Sequence, residues 1–254
     1  MTKNRPNSLI IASATAVALS SVALGGGMEK TPILEKSPIV APESDCACPW
    51  GFSAAALYLK AHHNEGGYDQ DQEEELGYRV ALSYKCDDNL GIRLRYFQWE
   101  GSNDWYPEMS AIDLEVFDDF ELGEWQGEIS FGLRYATFEE SMDETDFDGW
   151  GPTLGLEMTR QISGPFSLYA GARASLVYGD AEIGDGYGDT YDMDDSFVPI
   201  IELSGGIQYT FNAFGSCDSY IRLGLEAQNW QSISYGDNED SSLFGGALEV
   251  GLAY

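Results

Sequence analysis

Three kinds of residue in this sequence could do chemistry: a histidine pair, four cysteines and long runs of acidic residues. His62 and His63 stand side by side near Glu65 and Asp69, a grouping that could act in hydrolysis or hold a metal ion adventitiously. No serine of the sequence stands in a nucleophile motif, and catalytic roles need a demonstrated geometry. The sequence therefore predicts a protein that is not an enzyme and uses no cofactor.

The cysteines are Cys46, Cys48, Cys86 and Cys217. In an oxidising compartment an even number of cysteines indicates disulfides. A bridge between Cys46 and Cys48 would be strained by their spacing, so bridges from this pair to Cys86 and Cys217 are expected. Free or intermolecular thiols are the second interpretation. Zinc is the third, because no histidine lies near and the pair is too close for the usual ligand spacing.

Acidic residues dominate the charge of the chain. It has 43 Asp and Glu against 13 Lys and Arg, which gives a net charge of -30. This negative charge argues against a nucleic-acid partner, because it repels the phosphates of DNA and RNA. Most of the acidic residues lie in segments that are predicted to be long loops. The first interpretation of these loops is that they keep an envelope protein hydrated, and the second is that they bind Ca²⁺ weakly. The Ca²⁺ candidates are Asp143, Asp146, Asp148, Asp185 and Asp189. None of these segments keeps the EF-hand spacing, so no defined metal site is predicted.

The segment Gly123–Phe138, GEWQGEISFGLRYATF, shows the pattern that positions the remaining charges. Apolar residues such as Ile129 and Leu133 alternate with polar ones such as Glu128 and Arg134. A period of two predicts a β-strand, because successive side chains of a strand point to opposite faces.

Aromatic residues lie at both ends of this segment, with Trp125 at one end and Tyr135 and Phe138 at the other. Amphipathic rings at the two headgroup levels, with an apolar band between them, are typical of a strand that crosses a bilayer. The opposite, polar face would then point into a lumen.

Ten such strands are predicted, although a count of eight or twelve stays open. They are Trp50–Lys60, Leu76–Lys85, Asn89–Glu100, Glu108–Asp118, Gly123–Phe138, Gly149–Gln161, Pro165–Gly179, Phe197–Phe211, Ser219–Ser234 and Leu243–Tyr254. Short connections alternate with longer, acidic ones, as periplasmic turns and external loops do in outer-membrane barrels. The predicted fold is all-β: a transmembrane, antiparallel up-and-down β-barrel of about ten strands with periplasmic termini.

The N-terminus predicts export. Lys3 and Arg5 precede an uncharged run that ends in small residues, as in a signal peptide, here residues 1–25. Residues 26–49 form a Pro- and charge-rich periplasmic spacer, in which proline disfavours sheet pairing. Residues 50–254 form the barrel, and the predicted location is the outer membrane of a Gram-negative-type bacterium.

The inward-facing positions collect charges of both signs. They are Arg79, Arg93, Arg95, Asp113, Glu115, Glu128, Arg134, Glu157, Arg173, Glu202, Glu226 and Glu249. One interpretation is a plugged lumen, in which arginines and carboxylates pair. The other is a narrow polar conduit whose charges set ion selectivity. Ten strands lie nearer to the filled barrels than to those with a broad channel.

Several segments resemble a known family. They are GFSAAALYLKAH, LGYRVALSYKCDDNLGIRLRYFQW, MSAIDLEVFDDFELGEWQGEISFGLRYATF, GWGPTLGLEMTRQISGPFSLYAGARASLVYG and IIELSGGIQYTF. Together they are similar to the Legionella-type major outer membrane protein family over roughly residues 50–211. The resemblance implies a pore-forming barrel and brings no catalytic signature. The chain is more acidic and more compact than a general porin.

The first functional hypothesis is therefore passive, cation-preferring passage of ions or small polar solutes. The alternative is a closed barrel that serves as a structural or surface-interaction protein of the outer membrane. The expected partners are outer-membrane lipid and lipopolysaccharide, the outer-membrane assembly machinery, and small ions or solutes. A homo-oligomer is possible on this interpretation.

Overall fold

The structure, a computed structural model, describes residues 49–63, 74–86, 90–101, 107–140, 145–184, 190–212, 218–231 and 241–252. Ten β-strands form in this part of the chain. They are β1 (Trp50–His63), β2 (Glu75–Lys85), β3 (Gly91–Glu100), β4 (Glu108–Leu122), β5 (Trp125–Glu140), β6 (Thr145–Ser163), β7 (Phe166–Gly184), β8 (Thr190–Asn212), β9 (Asp218–Trp230) and β10 (Ser241–Leu252).

The strands make one closed sheet. Each strand pairs antiparallel with its neighbours in the chain, and β1 pairs antiparallel with β10 to complete the cylinder. The predicted antiparallel up-and-down barrel of ten strands is confirmed. The described part of the chain contains no helix long and apolar enough to cross a membrane.

The alternation of side chains separates an apolar exterior from the lumen. On β5, Ile129, Phe131 and Leu133 point outward and are 48%, 62% and 57% exposed, whereas Arg134 is fully buried inside. The strands β2 and β8 follow the predicted alternation in the same way. A band of exposed apolar side chains around a whole barrel is the surface that bilayer hydrocarbon covers.

Aromatic pairs mark the two edges of this band. On one side Trp50 packs against Tyr84 with ring centroids 4.9 Å apart, and on the other Tyr135 packs against Trp150 at 4.7 Å. The interpretation of Phe138 as a further ring at the membrane edge is wrong. Its side chain is 1% exposed inside the barrel, because it shares the inward parity of Arg134 and not the outward parity of Tyr135.

Tight turns connect the strands at one end, called here the short-turn end. Gly123 and Glu124 link β4 to β5, and Gly164 and Pro165 link β6 to β7. Both glycines have positive φ, 65° and 54°, as the first central residue of a type II′ hairpin turn requires. The prediction that β5 begins at Gly123 is therefore wrong by the length of this turn. The opposite end is the long-loop end.

At the long-loop end β6, β7 and β8 extend further than the sequence predicted, whereas β9 ends at Trp230 and not at the predicted Ser234. Asp146 and Asp148 were expected in a loop but lie on β6, and Asp180 and Glu182, also expected in a loop, lie on β7. Acidic composition indicates solvent, not an irregular backbone, and paired strands can continue beyond the bilayer with their backbone groups satisfied.

Lysine in place of an outward residue tests where the bilayer lies. We expect Leu133→Lys, near the middle of β5, to lower the free energy of unfolding by about 2–4 kcal/mol, because a cation at the bilayer midplane is poorly solvated. The matched control Leu122→Lys changes a 65% exposed side chain at the short-turn end of β4 and should cost about 0–1 kcal/mol. Urea unfolding in phospholipid vesicles measures both. Equal losses would contradict this placement of the bilayer.

Candidate functional site

The lumen contains two different layers. Toward the long-loop end most of its side chains are apolar and form one buried cluster, called here the apolar layer. Its members are Ala55, Leu57, Leu59, Ala61, Phe97, Trp99, Met109, Ala111, Ala136, Phe138, Phe147, Val177, Ala181, Val198, Ile200, Trp230, Leu243 and Ala247. Every strand except β2 contributes to it, so the layer extends around the inside of the barrel.

The largest members of the apolar layer are fully enclosed. Trp99 and Trp230 are 1% and 0% exposed, and Leu57 and Met109 are 0% exposed. On β2 the corresponding space is taken by Gly77, where a Cβ atom would lie 2.9 Å from the Trp99 ring. The indole thus fills the gap left by the glycine. The layer is packed like a protein core.

Toward the short-turn end the lumen is charged. Six arginines and seven carboxylates form two connected sets of ion pairs, which together are called here the charged layer. Its members are Arg79, Arg93, Arg95, Arg134, Arg173, Arg222, Asp113, Glu115, Glu128, Glu157, Glu202, Glu226 and Glu249. Since carboxylates exceed arginines by one, the layer is almost neutral.

The centre of the charged layer is a square of four side chains. Arg95 lies 2.9 Å from Asp113 and 2.5 Å from Glu202. Arg134 lies 2.6 Å from Asp113 and 2.5 Å from Glu202. These residues belong to β3, β4, β5 and β8, and their side chains are 0–10% exposed. The square therefore links one wall of the barrel to another across the lumen.

Further ion pairs extend the charged layer around the square. Arg79 lies 2.8 Å from Glu226 and 3.3 Å from Glu249, which joins β2 to β9 and β10. Arg222 lies 2.6 Å from Glu157, which joins β9 to β6. With so many buried charges paired, most of the lumen charge is neutralised within the protein.

Cavities lie on the short-turn side of the square. One has a volume of about 310 Å³ and is lined by arginines and carboxylates of the charged layer together with Lys85 and Asp119. A second, of about 570 Å³, shares Asp119, Glu128 and Glu157 with it and adds Glu121. The polar space thus reaches the short-turn ends of the strands, while the apolar layer lies on the opposite side.

All twelve lumen residues predicted from the sequence point inward and enter the charged layer. Their predicted role in ion selectivity stays a prediction. Sequence reasoning missed Arg222, which pairs with Glu157 and donates from Nε to Gln208 at 2.8 Å. The alternation on β9 could have revealed it, because Ile221 and Leu223 on either side face outward. The apolar layer was missed as well.

On the outer surface, acidic residues form a row at the long-loop end, called here the acidic row. Its members are Glu100, Glu108, Glu139, Asp146 and Glu182, each directly opposite the next on neighbouring strands from β3 to β7. Glu139, Asp146 and Glu182 are exposed. The row lies beyond the aromatic pair of Tyr135 and Trp150, and like charges placed directly opposite one another repel.

The other predicted sites are described only in part. His62 is exposed on β1, whereas Glu65 and Asp69 lie outside the described residues. Cys86 is exposed at the end of β2. Three cysteines and three Ca²⁺ candidates also lie outside the described residues: Cys46, Cys48, Cys217, Asp143, Asp185 and Asp189. Within the described ranges no group of three or more His, Cys, Asp or Glu could hold a metal ion.

A closed barrel with an apolar exterior, aromatic edges and a charged interior defines a multi-pass outer-membrane β-barrel. The family described as Legionella pneumophila major outer membrane protein precursor matches residues 126–240, from β5 to the segment before β10. The resemblance predicted from the sequence is confirmed over residues 126–211, and the match continues to residue 240. The protein is located in the outer membrane of a Gram-negative-type bacterium.

Several solved structures are similar to this chain at low identity. Neisserial surface protein A is 14% identical, with 81% of this chain and 97% of that chain covered and a TM-score of 0.41. The outer membrane protease OmpT of Escherichia coli is 8% identical, with 83% and 100% covered and a TM-score of 0.45. The N-terminal barrel of Pseudomonas aeruginosa OprF is 10% identical, with 80% and 96% covered and a TM-score of 0.29. No curated protein matches the sequence. Nothing about function follows from these likenesses.

Removing one member of the square tests its contribution to stability. We expect Asp113→Asn to lower the free energy of unfolding by about 3–5 kcal/mol, because Arg95 and Arg134 lose a buried partner. Asp119→Asn is the matched control, since Asp119 pairs with Lys85 and is 39% exposed; it should cost about 0–1 kcal/mol. Urea unfolding in detergent micelles measures both. A loss for Asp113→Asn no larger than the control's would contradict the role of the square.

The repulsion along the acidic row makes a prediction of opposite sign. We expect Asp146→Asn to raise the free energy of unfolding by about 0.2–1 kcal/mol, because Asp146 lies directly between Glu139 and Glu182. The gain should shrink in molar salt, which screens exposed charges. The comparison is made by urea unfolding at low and high salt without divalent cations. A loss of stability at low salt would show that the row is not a source of repulsion.

Proposed function

We propose that this protein is a closed outer-membrane barrel that acts as a structural and surface-interaction protein, and that it is not a standing pore. The apolar layer carries this proposal. Its large side chains are buried, and every strand except β2 supplies them. A passage wide enough for a hydrated ion would require several of them to leave their contacts, and a close-packed interior resists such openings.

The charged layer supports the same proposal. The square of Arg95, Asp113, Arg134 and Glu202 spans the lumen with contacts of 2.5–2.9 Å. A selectivity filter needs charges that an ion can approach, whereas these charges are already paired with one another. Buried ion pairs of this kind favour a fixed interior.

The surface role rests on the outside of the barrel. If the long-loop end faces outward and the termini lie in the periplasm, as the loop lengths predict, the acidic row lies at the level of the lipopolysaccharide headgroups. Carboxylates and lipid phosphates repel each other unless cations lie between them. We therefore expect contact with lipopolysaccharide to depend on divalent cations, which bind oxygen ligands of both kinds.

A second candidate is the passive, cation-preferring passage of ions or small polar solutes. The cavity of about 310 Å³ favours it, because this charged space reaches from the short-turn end into the lumen. Carboxylates at its mouth, Asp119, Glu121, Glu128 and Glu157, would concentrate cations. Passage on this route requires the apolar layer to open.

Conductance in planar lipid bilayers separates the two candidates. We expect the folded protein to show no discrete openings. The double variant Trp99→Ala, Phe138→Ala removes two large side chains from the apolar layer and should produce openings. The control Phe131→Ala removes a phenyl ring from the outer surface and should produce no channel openings.

The opposite results would change the assignment. Discrete openings of the unaltered protein, with a reversal potential set by cations, would overturn the closed barrel and favour passage. Glu128→Ala should then alter the current, because Glu128 lines both cavities. A double variant that folds and shows no channel openings would show that the apolar layer is not what blocks the passage of ions.

A further inference from the structure

The first cavity on the short-turn side of the square is large enough to hold a small molecule. Its volume of about 310 Å³ lies at the lower end of the range of about 300–1,000 Å³ that small-molecule sites span. Among the described residues that line it, six carry a positive charge and six carry a negative charge. Because a buried charge needs a partner, walls that are neutral as a whole favour a ligand that is also neutral as a whole but carries both charges.

Two hydrogen-bond donors border this cavity beside Gly155. Ser130 is 3% exposed and lines the cavity, yet its hydroxyl makes no hydrogen bond within the described part of the chain. Arg173 also lines the cavity, and its ion pairs with Asp113 and Glu115 both use Nη1. A Cβ atom at Gly155 would meet the Ser130 hydroxyl and would lie 3.3 Å from Arg173 Nη2. The hydroxyl and Nη2 are therefore close enough together to donate to one carboxylate.

Two hydrogen-bond acceptors lie nearer to the short-turn end of the same cavity. Glu128 and Glu157 stand directly opposite each other, two residues along the strands from the pair of Ser130 and Gly155, a step of roughly 7 Å. The side chains of Glu128 and Glu157 are 20% and 41% exposed. Each accepts a hydrogen bond from an arginine, but an ionised carboxylate has about four acceptor positions. An ammonium between them would also reduce the repulsion of two opposed like charges.

We propose that this cavity binds a small zwitterion of the amino-acid class. The Ser130 hydroxyl and Arg173 Nη2 donate to the carboxylate of the ligand. Glu128 and Glu157 accept from its ammonium. Because the apolar layer lies on the opposite side, the ligand enters and leaves at the short-turn end. Binding is a separate property from closure and would be kept if the apolar layer opened, so a failed binding experiment leaves the proposed function unaffected.

Calorimetric titration of the folded, full-length protein in detergent micelles tests this site. The probe is γ-aminobutyrate, which carries both charges on a short chain, and the matched controls are butylammonium and butyrate, which each keep one charge on the same chain. We expect γ-aminobutyrate to bind at least about tenfold more tightly than either control, because each missing charge removes charge-assisted hydrogen bonds. No binding of γ-aminobutyrate would overturn the proposal. Equal binding of butylammonium or of butyrate would also overturn it, because the site would then recognise a single charge.

Two serine variants test the position of the ligand. Ser130→Ala should fold as the unaltered protein does and should bind γ-aminobutyrate about tenfold more weakly, because the carboxylate loses a donor. Ser175→Ala is the matched control, since Ser175 is buried and donates to Thr153 at 2.9 Å but does not line the cavity; its affinity should be unchanged. Urea unfolding confirms that both variants are folded. Full affinity in a folded Ser130→Ala, or an equal loss in both variants, would contradict the assigned site. Because the three ligands are compared first on the unaltered protein, a variant that fails to fold does not decide the outcome.

Discussion

The closed ladder of backbone hydrogen bonds is the constraint on which the rest of this structure depends. In hydrocarbon no water can satisfy an unpaired N–H or C=O, so a sheet that crosses a bilayer must have no free edge. The pairing of β1 with β10 removes that edge. Once the cylinder is closed, each strand residue within the bilayer has only two environments, lipid and lumen, and the period of two assigns its side chain to one of them.

This assignment explains why so much of the fold could be predicted from the sequence. A one-residue slip would move Glu128 and Arg134 into lipid and Ile129 and Leu133 into the lumen, so the alternation specifies the face strongly. All ten strands were found, and the largest error is at β8, which was predicted to begin at Phe197 but begins at Thr190. The errors at the starts of β6 and β8 arose because acidic segments, such as that around Asp146, were assigned to loops. A strand outside the bilayer nevertheless tolerates charge on either face.

The depth of the lumen side chains could not be predicted, because it depends on the stagger between strands. Alternation shows that Arg95 and Glu202 both face inward, but not that β3 and β8 bring them to the same height. The apolar layer was missed for a related reason. On β1 the run around Leu57 and Leu59 is apolar on both parities, and RYFQW on β3 has aromatic rings on both. Such runs indicate strands buried on two faces.

The two layers of the lumen follow from what each can do with water. Charged side chains remain stable inside a barrel when they are paired, and they are more stable still when cavity water solvates their remaining polar atoms. The cavities beside Glu128 and Glu157 can hold such water. Apolar side chains such as Leu243 and the ring of Trp230 offer water few hydrogen bonds, so the apolar layer excludes water. The same apolar side chains that supply packing energy to the barrel therefore also interrupt the polar path, and the interior cannot open to solute without losing part of its own stability.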